Sequence, residues 1–288
     1  MSERPLVVII GPTASGKSSL AMRLAEQYGG EIISADSRAI YKDLDIGTAK
    51  PSQADQALVK HWGLDIVEPG DRFTAADFKQ YANQKIKEIR SRNKTPFLVG
   101  GSGMYVDAVT LDYTFSGGYD QAGRDRLESM TTEQLQLYCS KNNITIPEND
   151  QNKRYLIRAI ERKNVVGNKR NKPIENCIIV GITTDRQVLR QRIEQRAAQL
   201  FDQGMIEEAI AAGQKYGWDN EAMTGNIYKL VRQYTSDDIT HQQLVSSFIT
   251  LDWRLAKRQL TWMKRNKFIN WLSLAEAELY LNRELASE

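Results

Sequence analysis

Residues 6–18 read LVVIIGPTASGKS. The run Leu6–Ile10 is short, rich in branched side chains and not alternating, which is typical of a strand buried on both faces of a sheet. The pattern G-x-x-x-x-G-K-[ST] follows it and ends in Lys17 and Ser18, and residues 19–28 after it predict a helix that stops at a glycine pair. A strand, this loop and a helix in that order predict a phosphate-binding loop.

The chemistry of such a loop follows from its backbone. Its glycines let successive amide hydrogens point inward at phosphate oxygens, and the helix N-terminus adds partial positive charge. Lys17 is expected to bind phosphate as a point charge, and the Ser18 hydroxyl to ligand Mg²⁺. The ligand is either a nucleotide such as ATP or another diphosphate. The predicted phosphate-binding residues are Gly11, Pro12, Thr13, Ala14, Ser15, Gly16, Lys17 and Ser18.

The rest of the chain alternates strands with helices. Buried strands are predicted at 31–35, 96–99 and 177–182, with helices at 73–92 and 186–201. This alternation predicts a parallel sheet flanked by helices, and together with the loop at 11–18 it predicts an α/β fold of the P-loop NTPase-like kind. The stretch after residue 114 instead has short predicted helices, including 132–141 and 152–163. We therefore predict a core made of 1–114 and 175–288 and a helical insertion domain at 115–174.

Composition and charge narrow the class of protein. The 288 residues are 41% hydrophobic and 26% charged with a net charge of +3, as in soluble globular proteins. Two cysteines and two histidines do not support a disulfide framework, a zinc finger or a multi-histidine metal site. The N-terminal aliphatic run is too short for a membrane span or a signal peptide, so we expect a cytoplasmic protein that does not bind membranes. Residues 151–172, by contrast, carry eight basic side chains and one acidic one, which favours a nucleic-acid contact over an ordinary solvated face.

Polar residues follow two of the predicted strands. Asp36 comes directly after 31–35, and Ser102 lies in the glycine-rich turn after 96–99. In an open parallel sheet, ligands bind beyond the carboxyl ends of the strands, so both are expected beside the phosphate-binding loop. Asp36 there is a candidate magnesium ligand through water or a general base, and the alternative is a turn or N-cap aspartate.

Several motifs together resemble one family. They are GPTASGKS at 11–18, SADSR at 34–38, DIGTAKP at 45–51, VGGSGMY at 99–105, RIEQR at 192–196, GMIEE at 204–208 and AKRQLTW at 256–262. In this order they resemble the tRNA dimethylallyltransferases, also called isopentenyl-tRNA transferases or the IPP transferase family. The matches extend along most of the chain, and several are specific to that family rather than to phosphate-binding loops in general.

The resemblance implies a reaction and its residues. A dimethylallyl group moves from dimethylallyl diphosphate to the exocyclic amine of the adenosine at tRNA position 37, beside the anticodon. The loop, Lys17 and Mg²⁺ then hold the diphosphate, Asp36 acts as general base, and either Arg192 or Arg196 reaches the leaving group. The basic insertion grips the anticodon stem-loop, and a monomer is expected. The implied tRNA contacts are Asp36, Ser37, Arg38, Ala39, Ser102, Arg124, Lys153, Arg154, Tyr155, Leu156, Ile157, Arg158, Lys257 and Arg258.

The chain departs from the family at four places, of which one is mild: Ser102 stands where threonine is common and keeps the hydroxyl. Ala39 stands where the family usually has Gln, which is expected to weaken contact with the target adenosine. Residues 225–229 read GNIYK and only partly match the usual Gly-Ile-Gly-Tyr-Lys. Asp252 and Trp253 replace a Thr-Arg pair, which removes one expected cation. These departures indicate a divergent member or a paralogue.

A basic stripe is predicted on the helix around residues 250–265. The stripe comprises Arg254, Lys257, Arg258, Thr261 and Arg265, and its charges suit phosphate contacts. Three aromatic residues, Tyr105, Trp253 and Trp262, could stack on bases or belong to the core.

Three other functions remain open. A P-loop small-molecule kinase would share the phosphate-binding loop. An adenylate isopentenyltransferase, acting on a free nucleotide, would not need the basic insertion. A non-catalytic RNA-binding module would not need Lys17.

Overall fold

The computed structural model describes residues 3–115, 121–163 and 168–286. The chain divides into two compact units, one made of residues 1–111 and 172–288 and the other of residues 112–171. The predicted insertion, 115–174, lies close to the bounds of the second unit. Its residues 116–120 and 164–167 lie outside the described residues.

The first unit is built on a six-stranded sheet. Its strands are β1 (Leu6–Ile10), β2 (Glu31–Ser34), β3 (His61–Trp62), β4 (Pro96–Gly100), β5 (Cys177–Ile182) and β6 (Asn270–Leu272). They lie in the order β3-β2-β4-β1-β5-β6, and every neighbouring pair is parallel. This confirms the predicted parallel α/β sheet. Strands β3 and β6 were not predicted, because they are two and three residues long and neither forms an apolar run.

Twelve α-helices are present in the described part of the chain. They are α1 (Lys17–Gln27), α2 (Gln53–Leu58), α3 (Ala75–Ser91), α4 (Gly103–Thr110), α5 (Gln121–Ser129), α6 (Thr132–Lys141), α7 (Lys153–Arg162), α8 (Arg186–Asp202), α9 (Met205–Tyr216), α10 (Asn226–Thr235), α11 (His241–Met263) and α12 (Leu274–Ala286). Helices α5, α6 and α7 belong to the second unit, and the others to the first.

Strand β1 is buried on both faces, as its uninterrupted apolar run predicts. Val8 and Ile10 pack into a cluster with Phe78 of α3 on one face. Val7 and Ile9 pack with residues of α1 and α12 on the other face. Because β1 lies between β4 and β5 and is covered on both sides, the loop that follows it starts from a rigid position.

The second unit has its own small core. Leu127, Leu135, Leu156, Ile157 and Ile160 pack together with Cys139 and Ile144, and Leu156 is fully buried. This apolar seam joins α5, α6 and α7. The basic side chains of α7 are therefore carried by a helix whose opposite face is fixed by packing.

None of the helices in the described residues combines the length and the apolar character that a membrane span requires.

Glu31, at the start of β2, generates a prediction about stability. Its side chain is 2% exposed and accepts hydrogen bonds from Trp62 Nε1 at 2.7 Å and Arg92 Nη2 at 2.8 Å, with Lys94 Nζ at 3.1 Å. Burial alone would raise the pKa of Glu31, but these three donors hold the pKa below its ordinary value of 4.5. A carboxyl with a depressed pKa stabilises the fold above its unfolded pKa, and that contribution is lost as the pH falls through the folded pKa.

We expect Glu31→Gln to lower the free energy of unfolding at neutral pH by about 2 kcal/mol, the range for hydrogen bonds to a charged group. The difference from the parent should shrink as the pH falls below 4.5. Urea unfolding at neutral and acidic pH measures both effects. Glu68→Gln, which removes an exposed ion pair with Lys42, is the control and should cost less than about 1 kcal/mol. A Glu31→Gln deficit that does not change with pH would contradict the prediction.

Candidate active site

The loop between β1 and α1 has the backbone geometry of a candidate anion site. Gly16 has φ 88° and Ala14 has φ 61°, and the Ser15 amide donates to the Pro12 carbonyl at 3.2 Å, which closes a tight turn. Helix α1 begins at Lys17, and no side chain among the described residues caps it, so its first-turn N–H groups are available to a ligand. The positive φ at Gly16 favours glycine, and a Cβ there would lie 2.7 Å from Leu274 Cδ1, so that side chain would have to shift.

The Lys17 amine lies inside this loop. Its Nζ donates to the Pro12 carbonyl at 3.3 Å. Burial lowers the pKa of Lys17 to about 8, with Asp36 acting to raise that pKa and Arg196 acting to lower it further. The amine therefore lies within electrostatic reach of both a carboxylate and a second cation. The amine is charged at neutral pH, and neutral pH lies close to its pKa of about 8.

Two arginines of α8 meet the loop from outside. Arg192 Nη1 lies 3.4 Å from the Ser15 carbonyl, to which it donates. Arg196 Nη1 donates to Thr13 Oγ1 at 2.9 Å and to Asp252 Oδ2 at 2.9 Å. The structure thus brings both predicted arginines to the phosphate-binding loop, one at each end of its turn.

Asp36 lies at the same edge of the sheet as the loop, because β2, β4 and β1 are parallel neighbours. Its Oδ1 accepts the Arg38 amide at 2.8 Å, and no described residue donates to its Oδ2. The aspartate therefore forms the turn that was its alternative interpretation, and it still has one carboxylate oxygen for other chemistry.

The ends of β2 and β4 approach each other closely. A Cβ on Gly100 would lie 2.1 Å from the Ala35 carbonyl oxygen, so only glycine fits there. Ser102 Oγ accepts the Ser37 amide at 3.0 Å and donates to Ser37 Oγ at 3.2 Å. This places the Ser102 hydroxyl next to the Asp36 turn, at the edge predicted for it.

Two of the other residues predicted to contact RNA have protein partners here. Arg38 donates to the Glu221 carbonyl at 2.7 Å and to Thr224 Oγ1 at 2.8 Å. Ala39 is 4% exposed and belongs to the core. We therefore assign Ala39 to packing rather than to RNA contact, because so little of its surface is available.

Gln259 of α11 is a site residue that sequence reasoning missed. Its Oε1 accepts the Thr13 amide at 2.9 Å, and its side chain covers Gly101, where a Cβ would lie 2.4 Å from Nε2. The Thr13 amide, predicted to face phosphate, is therefore bound to Gln259 in this structure. The signal was a single polar residue in the AKRQ motif, whose partner is 246 positions away.

A second missed residue, Glu208 of α9, fixes the DIGT loop. Its Oε2 accepts the amides of Asp45 at 2.8 Å and Ile46 at 2.6 Å, and its Oε1 accepts the Gly47 amide at 2.8 Å. One carboxylate thus satisfies three consecutive backbone donors. Two of the recognised motifs, DIGTAKP and GMIEE, therefore bind each other.

The donor set at the loop fits Mg²⁺. The Ser18 side chain is exposed on the first turn of α1, and Asp36 retains an oxygen. Mg²⁺ is commonly held by one or two protein oxygens together with phosphate oxygens and water. Among the described residues, no cluster of three His, Cys, Asp or Glu side chains forms a complete metal cage.

The C-terminal part of α11 carries a basic cavity. It has a volume of about 290 Å³ and is lined by Lys257, Arg258, Thr261, Trp262 and Arg265. The Arg265 guanidinium lies over the Trp262 ring at 5.2 Å, and Trp262 Nε1 donates to Asp107 Oδ2 at 3.0 Å. Most of the predicted stripe thus lines one concave surface. Arg254 is exposed on the same helix.

Tyr105 belongs to the core, the more ordinary of its two interpretations. It is 6% exposed and stacks on Phe78 with ring centroids 4.1 Å apart. Trp253 remains partly exposed, with Arg186 and Lys257 within 5.7 Å of its ring centroid.

In the second unit, the residues predicted to bind tRNA fall into three groups. Arg154 and Tyr155 are exposed, the tyrosine by 54%. Lys153 donates to the Glu128 carbonyl, and Arg124 and Arg158 both pair with Glu161, at 2.7 and 3.2 Å. Leu156 and Ile157 are buried in the small core of this unit. We assign those two to packing, since their side chains offer no surface to RNA.

Comparisons with known proteins agree on one family. A model of the family described as IPP transferase matches residues 39–266. The tRNA dimethylallyltransferase of Bacillus pumilus is 35% identical, covering 95% of this chain and 91% of that protein. The enzyme of the same name from Bacillus anthracis is 34% identical, covering 96% and 93%.

Solved structures show the same likeness. The tRNA isopentenylpyrophosphate transferase of Bacillus halodurans superposes with a TM-score of 0.74 at 32% identity, covering 99% of this chain and 98% of that one. A eukaryotic dimethylallyltransferase acting on tRNA has a TM-score of 0.76 at 19% identity, covering 94% and 74%. At that identity the second structure shows a shared fold.

The Lys17 pKa predicts how anion binding depends on pH. The protonated amine binds an anion, so the affinity for inorganic pyrophosphate should fall as the pH rises through about 8. From neutral pH to about one unit above that pKa, calorimetry should find roughly tenfold weaker binding. Lys17→Arg keeps its charge across this range, so it reports only the titration of pyrophosphate. A parent profile parallel to that of Lys17→Arg would contradict the prediction.

Proposed function

Because this chain belongs to the IPP transferase family, we propose that it transfers a dimethylallyl group from dimethylallyl diphosphate to tRNA. The acceptor in this proposal is the exocyclic amine of the adenosine at position 37, next to the anticodon, and diphosphate is released. We further propose that the protein works as a monomer in the cytoplasm. In support, one chain can supply both the proposed site for dimethylallyl diphosphate and the proposed site for the tRNA adenosine.

The convergence of charges on one loop carries the proposal. Asp36 and Arg196 are both close enough to Lys17 to change its pKa. Arg192 and Arg196 both donate hydrogen bonds to residues 13–15. When the bond between carbon and oxygen breaks, negative charge gathers on the diphosphate. Preorganised amides and cations aimed at that charge stabilise the transition state more than the ground state.

The attacking amine also needs a base. An exocyclic adenine amine is a weak nucleophile and must lose a proton as the new carbon–nitrogen bond forms. Asp36 has one oxygen to which no described residue donates, and it lies at the edge of the sheet that carries the loop. We propose that Asp36 accepts this proton. The Ser102 hydroxyl lies beside the Asp36 turn, and we propose that it helps to bind the adenine.

Ser18 is the residue we propose to hold Mg²⁺, directly through its hydroxyl. The ion, when bound with the diphosphate, would neutralise charge on the leaving group. Lys17 supplies a protein cation for the same oxygens. Burial lowers the pKa of this amine to about 8, and a bound anion would raise that pKa and favour the charged form.

Recognition of tRNA is proposed to use the basic surfaces of each unit. In the first unit these are Lys257 and Arg258, which line the α11 cavity. In the second unit they are Arg154 and the exposed ring of Tyr155, with Lys153, Arg124 and Arg158 close by in sequence or space. The target adenosine must leave its stack to react, which costs a few kcal/mol that these contacts offset.

The direct test supplies dimethylallyl diphosphate and an anticodon stem-loop RNA to the purified protein. Mass spectrometry of the RNA nucleosides should find a dimethylallyl adduct on one adenosine, with diphosphate released in equal amount. Consumption of ATP with phosphate transfer to a small molecule would favour a kinase instead. An adduct on free adenine nucleotide but not on RNA would favour an adenylate isopentenyltransferase.

We expect Asp36→Asn to bind the stem-loop RNA as the parent does and to transfer the dimethylallyl group at least ~10²-fold more slowly, the low end for losing a general base. Single-turnover rates at saturating donor measure this. Asp219→Asn, which removes an exposed partner of Arg232, is the matched control and should react at the parental rate. A parental rate for Asp36→Asn would exclude it as the base.

The salt dependence of RNA binding tests the α11 cavity. Replacing both Lys257 and Arg258 by Ala should weaken binding and lower the slope of log affinity against log salt by about 1 to 2, because fewer counterions are released. Filter binding at several salt concentrations measures the slope. Lys42→Ala, at an exposed lysine paired with Glu68, should leave it unchanged. Equal slopes for the double variant and the parent would remove this cavity from the RNA interface.

A further inference from the structure

Asp252, a residue that no motif singled out for catalysis, binds one of the two arginines at the loop. It lies on α11 and is 5% exposed. Its Oδ2 accepts Arg196 Nη1 at 2.9 Å, and its Oδ1 accepts Asn226 Nδ2 from the start of α10 at 2.9 Å. Both carboxylate oxygens are therefore satisfied, and two neighbouring helices fix the position of the acceptor that Arg196 meets.

The other contact of Arg196 defines its orientation. The same Nη1 group donates to Thr13 Oγ1 at 2.9 Å. One nitrogen with two hydrogens thus joins α11 to the phosphate-binding loop. Within the described residues, Nε and Nη2 donate to no protein group, so they remain for a ligand. Because the guanidinium is planar and rigid, fixing one nitrogen on two sides restricts the directions in which the others point.

A contribution to stability does not by itself account for this pair. Buried ion pairs are weak stabilisers on average, since desolvation cancels much of their attraction. Here the carboxylate also draws Arg196 into a loop where Lys17 is already a partly desolvated cation whose pKa Arg196 lowers. Gathering cations in this way is unfavourable until an anion binds. An acceptor is therefore needed to hold the arginine in place when the site is empty.

Asp252 and Asn226 come from two different helices, α11 and α10. They bond to each other across 26 positions of sequence. We propose that Asp252 is a positioning residue, supported by Asn226, that orients Arg196 so that its Nε and Nη2 groups face the diphosphate. This inference rests on the proposed function for the identity of the anion.

Orientation of Arg196 predicts a difference between two substitutions of Asp252. Asp252→Ala removes the acceptor, so affinity for inorganic pyrophosphate with Mg²⁺ and kcat/KM for dimethylallyl transfer should each fall by about tenfold, as for one lost charge-assisted hydrogen bond. Asp252→Asn keeps an oxygen for Arg196 and can turn its amide toward Asn226 Oδ1. It should stay within about threefold of the parent. An Asn variant as weak as the Ala variant would overturn the proposal.

A double-mutant cycle tests whether Asp252 acts through Arg196. In an Arg196→Ala background, adding Asp252→Ala should change pyrophosphate affinity by less than about threefold, because the group that it positions is gone. If the two substitutions together reduced the affinity by the product of their separate effects, Asp252 would act independently of Arg196 and have a merely structural role. Glu194→Ala, which breaks an exposed pair with Arg190 on the outer side of α8, is the control and should leave both measurements at the parental values.

Folding and function are separated by two further measurements. Thermal unfolding checks each variant, and if Asp252→Ala does not fold, Asp252→Ser and Asn226→Ala replace it in the cycle, with losses of about three- to tenfold expected. Pyrophosphate binding needs no catalysis. If the parent binds it and shows the coupling but transfers no dimethylallyl group, the proposed function fails and the positioning role stands. If the parent transfers the group and Arg196→Ala is impaired while Asp252→Ala is parental, the positioning role fails alone.

Discussion

The candidate site depends on how β1 and α1 are joined. A strand buried on both faces and paired on both sides ends at Ile10, and a helix with no side-chain cap begins at Lys17. Among the described residues, no side chain caps the first N–H groups of that helix. In the proposed function an anion with several oxygens accepts from them, and the partial charge of the helix favours it. Every other element of the candidate site is placed relative to this loop.

Helix α11 holds the site together from one side. Asp252, Gln259 and Trp262 are spaced so that they share a helix face. They bind Arg196, the Thr13 amide and Asp107 of α4 respectively. A single helix therefore sets the loop, the arginine and the glycine-rich turn in register. Lys257, Arg258 and Thr261 of the same helix, with Arg265 just beyond its end, line a basic cavity. One element thus combines a structural face with a proposed RNA face.

The charges of the site balance each other only in part. Lys17, Arg192 and Arg196 meet at residues 12–15, while Asp36 and Asp252 supply the nearby carboxylates. Asp252 has both oxygens occupied, and Asp36 keeps one. This difference separates two roles for the same side-chain type. A saturated carboxylate can hold a neighbour in place, whereas one with a free oxygen can accept a proton or bind an ion.

Much of the fold could be read from residues that are neighbours along the chain. The bounds of β1 and β5 match their apolar runs, and the parallel sheet follows from alternating strands and helices. The loop pattern is equally local, because its strand, glycines and helix are consecutive. The partners of Thr13 and Arg196 could not be read in this way, since they lie 246 and 56 positions away and are ordinary polar residues on a helix. Periodicity tells which face of a helix is buried, but not which distant atom that face meets. Packing of α11 against α8 and the loop decides that, and with it the orientation of the arginine at the site.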